Sequence, residues 1–470
     1  MAKRWEHDII GELEIDADAL WGVHTQRSLA NFPLTGRRVH SAWIRAMGAV
    51  KRACAECSHS LGAWKDDERK ARAIIEAAKQ MQEGALDDAV CVDSLQGGAG
   101  TSLNMNVNEV LANRALQMMG KELGQYQIVS PLDDINFRQS TNDVCPTALK
   151  LALVWLIDAC VAELLELEQS FRRRSRAFKD VVKMGRTQFQ DAVLTTLGIE
   201  MKAYSEVIAR DAARLERAKE ALFVLNLGGT AIGTSIGASA EYVRGVVPVL
   251  ASITGLPLVQ AHDLVDATQN LDAYVLVSSA LKSCALSLMK IASDLRFMSS
   301  GPQAGIGELR LPVRQAGSSI MPGKVNPVIT EAMSQVCMLI VGHDTTISVA
   351  ASSGNMELNA YLPLIGDCLL NDLELLKKAC VMFYKLCVDE MQANVERCKE
   401  NVQASTSVIT SMVPLIGYDR ACALGEEAIK EGKTVREKLL ESGLVTKEQL
   451  DAFVSVEAVY KTMADKDRSP

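Results

Sequence analysis

Apolar positions along the middle of the chain repeat with a helical period. From Thr147 to Met184 there is no Gly and no Pro, and Leu149, Leu153, Leu156, Ile157, Cys160, Val161, Leu164 and Leu165 recur at three-to-four spacing, the pattern of a helix with a buried face. Ile199–Leu227, Leu258–Ser300 and Asp367–Val413 are equally free of both breakers, which predicts a bundle of helices well above average length. In the third of these, Leu276, Val277, Ala280, Leu281, Ala285, Leu286, Leu288 and Met289 cover more than one stripe. A helix apolar most of the way round is buried on several sides, so the pattern points to an obligate oligomer whose subunits share a bundle. The flanks read differently. Residues 1–142 mix short helices with Gly/Asn-rich turns, with Leu13–Asp16 as a short strand, and residues 398–470 carry shorter amphipathic helices and charged turns. The expectation is a mainly α chain in three parts: a mixed N-terminal domain (1–142), a central long-helix domain (143–397) and a small helical C-terminal domain (398–470).

Composition narrows the function. At 470 residues, nearly half of them apolar, the chain is globular and long enough for more than one domain. A net charge of −8 argues against a nucleic-acid partner, and Arg172-Arg173-Arg174 reads as a solvated helix face. The N-terminus lacks the apolar segment of a signal peptide. The apolar run Leu151–Ile157 is closed by Lys150 and Asp158, far short of a membrane span, so a soluble cytoplasmic protein with no membrane partner is expected. The twelve cysteines are scattered through helical patterns and read as reduced, buried thiols. Cys54 and Cys57 have CxxC spacing with His59 behind them, but no second ligand pair stands nearby and no metal site is expected.

The chemistry gathers in four polar stretches. Gly317-Ser318-Ser319-Ile320-Met321-Pro322-Gly323-Lys324-Val325-Asn326-Pro327 combines two hydroxyls, a lysine and an amide with four Gly or Pro positions; it predicts a loop that stays a loop. Gly97-Gly98-Ala99-Gly100-Thr101-Ser102 (followed by Asn104, Asn106 and Asn108), Gln139-Ser140-Thr141-Asn142-Asp143 and Gly185-Arg186-Thr187-Gln188-Phe189-Gln190-Asp191 each precede a helical pattern. Each alone reads equally well as a helix cap. Four of them, separated by long helices that can bring their ends together, point to a shared anion pocket built from helix N-termini and hydroxyls. No His–carboxylate pairing is evident, and the Gly-rich run lacks the P-loop lysine. Hydroxyl and amide donors with one lysine suit a small dicarboxylate. They also suit proton abstraction beside a carboxylate, because the aci-carboxylate formed is a developing dianion that preorganised donors stabilise.

The same four stretches, in this order, resemble the characteristic blocks of the aspartase/fumarase superfamily, and the resemblance runs from about Glu6 to Val454. It implies a three-domain subunit, a homotetramer with a 20-helix core and active sites shared between subunits. It implies anti elimination from a four-carbon dicarboxylate to give fumarate, with no cofactor required; a regulatory Mg²⁺, found in some members, is not readable from the residues. By carry-over Ser318 is the base, Thr101, Ser140, Thr141 and Ser319 hold the carboxylate that becomes the aci-carboxylate, Lys324 and Asn326 hold the other carboxylate, and Asn142, Thr187 and Gln188 lie near the leaving group.

Position 188 bears on the leaving group. Fumarases carry histidine there, paired with a glutamate, to handle water. Glu331 is present here but the histidine is replaced by Gln188, which has no titratable proton near neutral pH. The expected reaction is therefore loss of ammonia from aspartate, with class II fumarate hydration and elimination from a related amino acid such as cysteate as alternatives. The last draws on departures from the family pattern: Arg138, Leu132-Asp133-Asp134, Leu194, Gln303 and Leu362.

Overall fold

The computed structural model describes residues 2–464. Met1 and residues 465–470, the extreme ends of the two predicted flanking domains, lie outside the described residues. The chain is mainly helical. It opens on an antiparallel hairpin, β1 (Lys3–Asp8) with β2 (Gly11–Asp16), of which the expected Leu13–Asp16 strand is one arm. Helices α1 (Val23–Asn31), α2 (Ser41–Ser60), α3 (Glu68–Gln82), α4 (Thr101–Met118) and α5 (Thr141–Ala177) follow. A second hairpin, β3 (Val182–Thr187) with β4 (Gln190–Thr196), precedes α6 (Leu197–Glu220), α7 (Ala240–Thr254), α8 (Leu264–Gln269), α9 (Asp272–Met298), α10 (Val328–Ser352) and α11 (Leu362–Leu386). Shorter helices complete the chain from Val395 onward.

The chain divides into two compact units. One holds residues up to Val161, Ala213–Ser283 and Met338–Lys377; the other holds Ala162–Ala212, Cys284–Cys337 and the residues from Lys378. In the first, α2 packs on α3 and α7, and α4 packs on α1 and α3. Wholly buried Met47, Val50, Ala53, Val107, Leu111 and Leu149 fill this core. In the second, wholly buried Phe171 packs edge-on against Tyr204 and Phe383, with ring centroids 5.7 and 6.3 Å away.

All four long helical readings overrun the helices, with no Gly or Pro at the breaks: α5 stops at Ala177 and α6 at Glu220, short of Met184 and Leu227. Leu258–Ser300 is not one helix. The Asp263 carboxylate accepts from the N–H groups of Val265 and Asp266 and starts α8, and Asn270 ends it in an extended conformation. Asp367–Val413 breaks at Cys387, after which Gln392–Ala393 pairs with Leu309–Arg310 as a short strand. Conversely α5 starts before its predicted Thr147 and contains Pro146. The ring nitrogen cannot bond the Asn142 carbonyl one turn back; that carbonyl instead accepts from Asn226 Nδ2 at 2.9 Å.

The central helices leave large apolar side chains on the surface: Leu165, Leu276, Leu286, Met338, Leu339 and Val349 are all exposed. Helix α9 is long and apolar enough to cross a membrane by length and composition, although half of its most apolar stretch is buried within the chain. It also carries Lys282, which pairs with buried Asp344 at 2.6 Å. Arg172 and Arg173 are not merely solvated: they pair with Glu168 and Glu206, and with Asp389.

Candidate active site

The Gly97–Ser102 and Gln139–Asp143 clusters lie where the sequence places them, at the N-termini of α4 and α5. Gly98, Ala99 and Gly100 all take positive φ angles of 89°, 56° and 98°, so the backbone curls tightly into α4 and the Thr101 hydroxyl donates to the Gly98 carbonyl at 2.7 Å. The two helix ends are adjacent: Cys145 Sγ donates to the Gly100 carbonyl at 3.6 Å, and the Thr141 hydroxyl oxygen accepts from Asn104 Nδ2 at 3.1 Å. Two helix N-termini, with their positive dipole ends, thus meet around Thr101 and Thr141.

Beneath them lies a buried network that joins Asp143 and Gln139 of this cluster to Lys51 and Asn136, which the sequence reading did not single out. Asp143 Oδ1 accepts from Ser140 N at 2.9 Å, and its Oδ2 accepts from Gly228 N and Thr230 N at 3.1 Å each. Burial pushes its carboxyl up to about 6, against the pull of these three N–H groups. Asn142 Nδ2 donates to the Ala231 carbonyl at 2.7 Å, so the Ser140–Asn142 segment is tied to the 226–231 loop at several points. Lys51, 2 % exposed, donates to Asn136 Oδ1 at 3.1 Å and to Gln139 Oε1 at 2.9 Å. Burial lowers its ammonium to about 8, which leaves it protonated at neutral pH. A lone lysine within an Ala- and Cys-rich helix was the one visible sign of this.

The third cluster departs from expectation. Gly185–Asp191 does not lead directly into a helix; it is the tip of the β3–β4 hairpin, with Gln188 and Phe189 at φ 54° and 63°. Thr187 and Gln188 are exposed at that tip. The hairpin stem is held by Glu308, fully buried, which accepts two bonds from Arg186 at 2.9 and 3.0 Å and pairs with Lys183 at 3.2 Å. Lys183 also reaches Glu200 at 2.7 Å. A cavity of about 370 Å³ opens beside Gln188, lined also by Tyr204, Lys290, Asp294 and Phe297.

The fourth stretch is an irregular loop before α10, as its composition requires. Asn326 Nδ2 donates to the Gly317 carbonyl at 2.7 Å and closes it. A Cβ on Gly317 would stand 2.0 Å from the Lys324 carbonyl oxygen, so no larger residue fits the closed loop. Ser318 Oγ accepts from the N–H groups of Ile320 and Met321 at 3.2 and 3.0 Å. Ser319 and Lys324 are exposed. Lys324 and Asn326 line a cavity of about 1030 Å³ shared with Phe189, Arg296, Gln303 and Glu331. Phe189 lines both cavities and packs its ring, tilted by 60°, against Phe297 with centroids 4.8 Å apart, so the hairpin tip adjoins the loop. The predicted site residues therefore fall into two groups: Thr101, Ser140, Thr141 and Asn142 in one unit, and Thr187, Gln188, Ser318, Ser319, Lys324 and Asn326 in the other.

Two His–carboxylate pairs lie outside the four polar stretches: His343 Nδ1 and Asp372 Oδ1 are 2.6 Å apart, where the carboxylate raises the imidazole, and His59 Nε2 and Glu68 Oε2 are 2.9 Å apart. The first joins α10 to α11 and the second α2 to α3, and none of the four residues is a predicted site residue. Arg138, one of the departures from the family pattern, lies over the rings of Phe137 and Tyr242, 4.7 and 5.8 Å from their centroids, and its Nη1 is buried without a hydrogen-bond partner.

Comparison with known proteins follows the same outline. A family model described as lyase matches residues 11–342, and one described as the fumarase C C-terminus matches residues 408–461. The aspartate ammonia-lyase of a Bacillus species is 44% identical over 452 residues, covering 96% of each chain. That of Escherichia coli K12 is 42% identical over 473 residues, covering 99% of this chain and 98% of its own. A cobalt-bound fumarate lyase:delta crystallin from Brucella melitensis superimposes with a TM-score of 0.94 at 42% identity, covering 97% of this chain and 100% of the other. The class II fumarase of Schistosoma mansoni does so at 0.92 and 31% identity, covering 98% and 100%.

Proposed function

We propose, from the premise that this chain belongs to the lyase/fumarase C family, that it eliminates ammonia from L-aspartate to give fumarate. The observation that carries ammonia over water is Gln188 at the hairpin tip. Its amide can hold a leaving group by hydrogen bonds, but it cannot supply or take a proton near neutral pH.

In this reading Ser318 removes the Cβ proton. Two backbone N–H groups directed at its Oγ support the alkoxide form, as fixed donors favour an anion. The carboxylate next to that carbon gains charge and is held by Thr101, Ser140, Thr141 and Ser319, with the α4 and α5 dipoles behind the first three. Lys324 and Asn326 bind the other carboxylate, and Asn142, Thr187 and Gln188 lie near the departing amine. Ammonia leaves on the face opposite the abstracted proton, and the aci-carboxylate electrons form the new double bond. Each of these steps uses the protein's own residues, and a regulatory Mg²⁺ would act outside them.

We further propose a cytoplasmic homotetramer in which three subunits complete each site and a 20-helix core forms from the 143–397 region, flanked by the 1–142 and 398–470 domains. The exposed Leu276, Leu286, Met338, Leu339 and Val349 on the central helices support that assembly, since patches of this kind mark interfaces. Incubation with aspartate, malate and cysteate, followed by ultraviolet absorbance of the unsaturated product, tests the reading. Fumarate is expected from aspartate; fumarate from malate but not from aspartate would overturn it.

A further inference from the structure

The network under Thr141 has a direction. Lysine can only donate, so the Asn136 atom 3.1 Å from Lys51 Nζ is the carbonyl oxygen. That oxygen is also approached by Asn104 Nδ2 at 3.1 Å and by Asn108 Nδ2 at 3.2 Å. Both must then present their NH₂ sides to it. Asn104 Nδ2, so oriented, also faces Thr141 Oγ1 at 3.1 Å, which is left as the acceptor of that bond. The Thr141 proton cannot point back toward Asn104 and is available to an anion at the α4 and α5 N-termini.

The arrangement is imposed, because it leaves partners wanting. Asn104 Oδ1 and Asn108 Oδ1 are both buried without a hydrogen-bond partner, a condition native structures avoid unless something else dictates it. Turning the Asn104 amide over would set its oxygen against Asn136 Oδ1. It would also invite the Thr141 hydroxyl to donate inward. Lys51 also donates to Gln139 Oε1 at 2.9 Å, and the Asn136 amide donates to the Gln139 carbonyl at 3.2 Å, so the lysine clamps Asn136 and the strand of chain that leads into Ser140.

We propose that Lys51 is a positioning residue that sets the polarity of the Asn136–Asn104 chain and so aims the Thr141 hydroxyl proton at the substrate carboxylate. The proposal rests on the placement of Thr141 at that carboxylate in the reading above. It assigns Lys51 no contact with the substrate and no proton transfer.

Four variants of the full-length protein test it: Lys51→Met, Asn104→Asp, Thr141→Val and the double variant Lys51→Met/Thr141→Val, each checked for assembly by size-exclusion chromatography. Removing one donor aimed at a developing oxyanion lowers kcat by about 100-fold or more, and that loss is expected for Thr141→Val and Lys51→Met alike. Asn104→Asp, which replaces the donor facing Thr141 with an acceptor, should lose as much and serves where Lys51→Met fails to assemble. The double variant should be no slower than either single one, because the lysine acts through the hydroxyl. Losses that multiply in the double variant, or near-normal turnover in Asn104→Asp, would overturn the relay while leaving Thr141 in place. Near-normal turnover in Thr141→Val would instead overturn the reading of Thr141 itself, and the relay with it.

Discussion

The cradle around Thr101 and Thr141 and the loop Gly317–Pro327 carry comparable sets of hydroxyls and amides, yet they are built in opposite ways. The cradle rests on two helix ends and an underlying layer of Lys51, Asn104, Asn136 and Asp143, so the Thr141 hydroxyl is oriented by atoms below it. The loop aims itself: Ser318 is held by N–H groups two and three residues on, and Asn326 closes the circuit onto Gly317. Met321, Pro322, Gly323 and Lys324 are exposed. Charge stabilisation depends on donors that need not reorganise, which suits a rigid support. A base must approach the proton it takes, which suits a loop whose shape is set locally.

That contrast can be broken at three places. The largest effect is expected from Ser318→Ala, which removes the proposed base and spares the loop closure: turnover of aspartate should fall by about 1,000-fold or more, with assembly and melting temperature unchanged. Near-normal turnover would remove Ser318 from the mechanism. Gly317→Ala comes next. Its Cβ would meet the Lys324 carbonyl oxygen at 2.0 Å, so the closure must open. A fall in kcat of about 10- to 100-fold without loss of stability is expected, of the size that misplacing a reacting group produces. A matching drop in melting temperature would show the loop to be part of the core instead.

Asp143→Asn addresses the other side of the contrast. An amide has one acceptor oxygen, so its NH₂ would face either the Ser140 N–H or those of Gly228 and Thr230, a loss of about 1–3 kcal/mol. The pH dependence sharpens this. Burial raises the Asp143 carboxyl to about 6, so the folded protein holds this proton more tightly than the unfolded chain. Its favourable contribution is full below the ordinary carboxylate range and is lost as the pH rises through about 6. The variant should melt below the parent at pH 5, and the gap should narrow at pH 7.5; a gap that widens would contradict the assigned shift.

The loop was legible in the sequence because its composition is incompatible with helix or strand, and the α4 start was legible because glycines stood before an unbroken helical period, whereas Pro146 hid the first turn of α5. The β3–β4 hairpin was not. Hairpin turns are recognised by Gly or Asn at positive φ, whereas here Gln188 and Phe189 adopt it. Helix length was overestimated in Leu258–Ser300 because Asp263 starts a new helix and extended Asn270 ends it without any Gly or Pro to mark the breaks. Lys51 and Asp143 were invisible as a buried layer for a simpler reason. Burial of a charge is a tertiary fact: Lys51 is bonded by Asn136 and Gln139, and Asp143 by Gly228 and Thr230 as well as by nearby Ser140.

The anchoring of the hairpin through Glu308 has an evolutionary corollary. Stability is vested in the stem, where Arg186, Lys183 and Asn401 converge on one inaccessible carboxylate, while the residues at the tip bear almost none of it. Substitutions at the exposed positions 187 and 188 should therefore weigh lightly on folding and heavily on chemistry. A lineage can exchange one departing group for another there without first acquiring a compensating change, which makes the tip the natural point of divergence among enzymes that share the rest of this scaffold.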